Sequence, residues 1–114
     1  MTIQKFEEIL AWQKGRDLTV QIYNLLSNSR DFGFKDQITR ASISICNNIA
    51  EGFERRSNKE IKQFFFISKG SAGEVRSMLY IGLDLKYFTQ AEFDKLFNLT
   101  IDIGRLLSGF IKTL

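Results

Sequence analysis

The chain has 114 residues, a net charge of +3, one cysteine, no histidine and no proline. That length holds a single core, and so mild a basic excess permits a nucleic-acid or membrane-surface partner without demanding one. The missing histidine removes the commonest general base and metal ligand, and the lone Cys46 excludes an internal disulfide or a multi-cysteine zinc site.

A single free thiol fits a reducing compartment. The first ten residues include Glu7 and Glu8 and hold no long apolar run, so no signal peptide is expected. The apolar run 64–67 is far shorter than a membrane span. The expectation is a cytoplasmic protein with one domain over residues 1–114. Without proline and with few glycines, long helices are favoured.

The first helix is expected over 7–28, where Ile9, Trp12, Val20, Tyr23, Leu25 and Leu26 recur at helical spacing. Trp12 reads as a packing anchor. Turn-forming residues then make 28–34 a connection, with Phe32 and Phe34 folding back onto the bundle end. The second helix is expected over 35–53. Ile38, Ala41, Ser42, Ile45, Cys46, Ile49 and Phe53 share one arc, wide enough to be covered on more than one side. Gly52 sits where a left-handed cap is expected.

Ser57-Asn58-Lys59-Glu60 has the capping-box pattern and opens a third helix over 58–86. Its seam is Ile61, Phe65, Ser68, Ala72, Val75, Leu79 and Gly82. The small centre, including Gly70 and Gly73, predicts close approach of the second helix. A hairpin about residue 57 sets Gly70 opposite Ser44, and Arg40 opposite Glu74 as an ion pair. A second apolar line, Ile67, Met78 and Ile81, with Leu85 beyond, predicts a subunit interface. Thr89-Gln90-Ala91-Glu92 is a second capping box, and the fourth helix follows to the C-terminus, with Gly104 and Gly109 as further expected close contacts. The fold class is all-α, an antiparallel up-down-up-down four-helix bundle.

Arg40-Ala41, Ser44-Ile45, the run Asn48-Ile49-Ala50-Glu51-Gly52, Gly70-Ser71 and Glu74 make a distinctive pattern. With Trp12-Gln13-Lys14 near the start and 103–111 near the end, it resembles the 23S ribosomal RNA intervening-sequence family of four-helix-bundle proteins, over nearly the whole chain. Cys46 stands where the family usually has proline, and Lys69 where it usually has arginine. The second change swaps a bidentate donor for a point charge. The resemblance implies a bacterial, cytoplasmic bundle in a closed homo-oligomer, a pentamer. The family is similar in fold to the accessory variability proteins of diversity-generating retroelements, basic pentamers that bind nucleic acid and a reverse transcriptase. Fold likeness alone does not transfer that role.

The candidate nucleic-acid-binding residues are Arg55, Arg56, Lys59, Lys62, Lys69 and Arg76. Lys62, Lys69 and Arg76 repeat every seven residues along one helix side, with Phe66 and Tyr80 interleaved. Cations so spaced track phosphates and an exposed aromatic stacks on a base; the same pattern also serves as a plain solvated face. Arg40, Asn48, Glu51 and Glu74 form a polar stripe, read either as a structural hydrogen-bond network or as a ligand site. No histidine stands beside Ser42, Ser44 or Ser71, so no nucleophile–base pair is visible. No cofactor, no metal and no enzymatic activity are expected. Two functions remain in view: an oligomer that binds RNA or another nucleic acid, and a scaffold for a protein partner.

Overall fold

Capping side chains set where the last three of the four helices begin. The computed structural model describes residues 3–114, which form α1 (Leu10–Leu25), α2 (Phe32–Phe53), α3 (Asn58–Asp84) and α4 (Gln90–Lys112), with a short 3₁₀ turn, Phe6–Glu8, ahead of them. Asp31 accepts the Phe34 N–H at 3.1 Å, so α2 starts three residues earlier than turn composition predicts. Ser57 accepts the Glu60 N–H at 3.2 Å, but Glu60 answers the Ser57 hydroxyl, so only half of that capping box forms. Thr89 and Glu92 make both halves.

α3 ends in a Schellman turn: the Tyr87 N–H donates to Gly82 O at 2.8 Å, and Lys86 takes a left-handed φ of 64°. Tyr87 Oη then donates to Asp31 Oδ2 at 2.6 Å, tying the α1–α2 and α3–α4 connections together. That bond, with the Phe34 N–H, holds the Asp31 carboxyl below its usual range. Phe34 folds back onto the bundle end as the sequence predicts, where it packs edge-on to Tyr87. Phe32 does not fold back; it is 71% exposed.

α1 is shorter than periodicity suggests. Ile9 is extended, which breaks the expected helix and drives its side chain into the core. The buried line on α1 is Ala11, Gly15, Leu18 and Ile22, while Val20, Tyr23 and Leu25 face outward. The two lines compete at similar spacing, and packing selects the other one. On α3 the predicted seam is buried from Phe65 to Gly82. Each helix packs against two neighbours, α1 on α2 and α4, α3 on α2 and α4. With short connections, this is the neighbour pattern of an antiparallel bundle.

The register of α2 on α3 is pinned by serines. Buried Ser68 donates to Ile45 O at 2.8 Å, and the Ser44 and Ser71 hydroxyls meet at 2.9 Å. The Arg40–Glu74 ion pair does not form. Arg40 instead takes Asp36, one turn away, at 3.4 Å, and Glu74 accepts from Gln37 at 3.5 Å. Both groups are exposed, and water leaves so little Coulomb energy that the nearest partner wins.

α2 and α3 approach closely as predicted, but the glycines that close packing requires are others than predicted. A Cβ on Gly70, Gly73, Gly104 or Gly109 would meet nothing within 4 Å. One on Gly52 would lie 2.6 Å from Phe64 Cβ, and one on Gly82 2.5 Å from Phe88 Cε2. Gly52 is therefore a packing glycine inside α2 rather than a left-handed cap. Gly52→Ala is expected to lose about 1–3 kcal/mol through overpacking, whereas Gly70→Ala gains about 0.5–1 kcal/mol from helix propensity. Parallel urea denaturation of the two variants measures the difference, and equal effects would refute this placement.

Candidate functional site

Aromatic contacts fix how α3 and α4 align. Phe65 meets Phe110 edge-on with ring centroids 5.0 Å apart, and Tyr80 meets Phe93 and Phe97 at 5.3 and 5.6 Å. This alignment brings Lys69 and Arg76 of α3 alongside Arg105 and Lys112 of α4. The four line a surface groove of about 550 Å³, with Ile101, Gly104, Ser108 and Gly109. No carboxylate lines it. None of the four cations has an ion-pair partner among the described residues. Gly104 and Gly109 carry no side chain to fill the floor.

Of the six cations read from sequence, only Lys69 and Arg76 line this groove. Lys62 continues their line one heptad toward the start of α3. Arg55 is committed elsewhere: it pairs with Glu51 at 2.8 Å and sits 4.7 Å over the Phe64 ring. Arg56 and Lys59 are exposed at the α2–α3 corner, outside the groove. Arg105 and Lys112 were missed by the sequence reading. The signal was present, since they stand seven apart as Lys69 and Arg76 do.

The polar stripe does not form one network. Asn48 donates to Ser44 O at 2.8 Å and to the Ser44 hydroxyl at 2.9 Å. Glu51 is held by Arg55, about three turns along α2 from Arg40. Arg40 and Glu74 do share an open polar cleft of about 390 Å³ with Asp36, Gln37, Ser44 and Ser71. Exposed charges of both signs line it: Arg40 takes its i,i+4 partner Asp36, and Glu74 accepts from Gln37 across the cleft. Among the described residues, no three acidic or cysteine side chains gather as metal ligands. None of their helices is long and apolar enough to cross a membrane.

A family model described as 23S rRNA-intervening sequence protein matches residues 7–109, nearly the whole bundle. The chain belongs to the 23S rRNA-intervening sequence protein family. A crystal structure from Bacteroides thetaiotaomicron, described as a protein with unknown function from the S23 ribosomal protein family, is similar to this family member. The two are 25% identical with a TM-score of 0.83, over 90% of this chain and 98% of the other. No curated protein matches.

Two further features of this intervening-sequence protein bear on its surfaces. Of the interface line read from sequence, Ile67 and Ile81 are half exposed, at 53% and 50%, but Met78 is 8% exposed and belongs to the bundle's own core. Its position turns it further inward than periodicity alone implies, beside Leu79 and Val75. Cys46 lies in an apolar groove of about 350 Å³ between α1 and α2, with Phe6, Trp12, Val20 and Ile43. Burial pushes its thiol up to about 11, against the pull of Arg16. Protonated at neutral pH, it reaches the Trp12 carbonyl at 3.5 Å and is a packing group.

Proposed function

We propose that this chain is a non-enzymatic, homo-oligomeric helical bundle that binds RNA or another nucleic acid through its α3–α4 surface. The observation that carries the reading is the groove in which Lys69, Arg76, Arg105 and Lys112 gather with no carboxylate among them. The net charge of +3 is small, but local potential follows how charges are arranged, and four unneutralised cations along one groove attract phosphates. Lys62 extends the same line. Arg56 and Lys59 add a second, weaker patch at the helix corner, while Arg55 is partly neutralised by Glu51.

Assembly is proposed from the outer face of α3, where Ile67 and Ile81 are half exposed two heptads apart, with exposed Leu85 just past the helix end. A closed ring is the arrangement that the family resemblance implies, with five copies. Ile67→Glu with Ile81→Glu is expected to convert the assembly to monomer in sedimentation at micromolar concentration. A wild-type chain that sediments as a monomer there overturns the assembly reading.

A second reading, a scaffold for a protein partner, rests on the apolar α1–α2 groove beside exposed Val20. Anisotropy titration of labelled RNA against rising salt separates the two. Binding at low salt that weakens steeply as salt rises supports the first, and none at any salt favours the scaffold.

A further inference from the structure

Six residues of α3 fall on one line beside the cationic groove. Lys62, Phe66, Lys69, Gly73, Arg76 and Tyr80 are spaced by four and three, which keeps them on a single helix edge. The line spans about 27 Å. It alternates cation and ring along most of its length: Lys62, then Phe66, then Lys69, and further on Arg76, then Tyr80.

Both rings are open to solvent. Phe66 is 55% exposed and Tyr80 53%. Tyr80 is braced from behind by Phe93 and Phe97 of α4, which holds it in place without covering it. Phe66 makes no ring contact with another aromatic among the described residues. Between the cations, Gly73 leaves free space where a side chain would stand. An exposed phenylalanine between two lysines gains nothing from the bundle core.

We propose that this edge of α3 is a binding track for single-stranded nucleic acid, with phosphates on Lys62, Lys69 and Arg76 and unpaired bases stacked on Phe66 and Tyr80. The proposal rests on the nucleic-acid reading above and narrows it. A duplex hides its base faces and offers phosphates only, so it uses the cations and leaves the rings idle. A single strand offers both, and every base has a π-face, so recognition is tolerant of sequence.

The test compares an unstructured RNA of about 12 nucleotides, within the ~4–16-nucleotide range of known single-strand sites, with a duplex of the same length. Anisotropy titrations of both use the full chain, Phe66→Ala and Phe66→Trp. The single strand is expected to bind more tightly than the duplex. Phe66→Ala weakens the single strand about 5–160-fold, leaves the duplex and the salt slope unchanged, and is rescued by Phe66→Trp. Equal binding of strand and duplex, or no effect of Phe66→Ala, overturns the track while leaving nucleic-acid binding intact. No binding of either probe at low salt overturns both. An assembly mass changed by Phe66→Ala assigns the ring to a subunit contact and also overturns the track.

Discussion

Phe65→Ala is expected to lower the unfolding free energy by about 3–5 kcal/mol, the cost of emptying a buried aromatic site. The ring is fully buried and meets Phe110 of α4 edge-on at 5.0 Å. Its Cδ1 lies 3.2 Å from where a Gly52 Cβ would stand, so it packs against α2 as well as α4. One side chain thus joins three helices, and α2 and α3 cannot close on the gap without breaking the serine contacts between them. Domains of this size have about 5–15 kcal/mol in all, so the variant would be close to unfolded when warm. Guanidinium denaturation at one fixed protein concentration measures it, since any assembly would make stability depend on concentration. A loss under about 1 kcal/mol would mean that the site collapses freely.

The second large effect is on binding. Lys69→Glu with Arg105→Glu reverses two of the four groove charges, on opposite helices. If the four cations each neutralise a phosphate of a single strand, the logarithmic salt slope of the wild type is about −2.8, or roughly 50-fold between 50 and 200 mM. The double variant is expected to weaken binding at low salt at least ~100-fold and to flatten the slope by about half or more. Both side chains are exposed and have no ion-pair partner among the described residues, so the fold is expected to hold, which circular dichroism checks. Reversing Arg56 and Lys59, outside the groove, is expected to cost less. An unchanged affinity in the groove variant removes this surface from consideration.

The fold was largely legible because its strongest signals are local. The Thr89–Glu92 capping box marks a helix start by itself, and the α3 seam is buried as its spacing predicts from Phe65 to Gly82, with Met78 drawn in beside it. On α1 two apolar lines of similar spacing run side by side, and only the packed partner decides that Leu18 and Ile22 go inward while Val20 and Tyr23 do not. The glycines misled for a related reason. Sequence shows where a side chain is missing but not whether anything comes near, and Gly52 and Gly82 are crowded while Gly70 and Gly73 stand open. The groove was half visible. Lys69 and Arg76 follow from spacing within one helix, but joining them to Arg105 and Lys112 needs the alignment of α3 on α4, which Phe65–Phe110 and Tyr80–Phe93 supply.

The serine contacts between α2 and α3 limit how this molecule can answer a partner. Sliding one helix past the other by a turn, about 5.4 Å, would strip Ser68 of the Ile45 carbonyl and strand a hydroxyl in a dry interior. That pair therefore behaves as a fixed spine, not a gear. Any change of shape at the groove must therefore come from moving α4 against that spine.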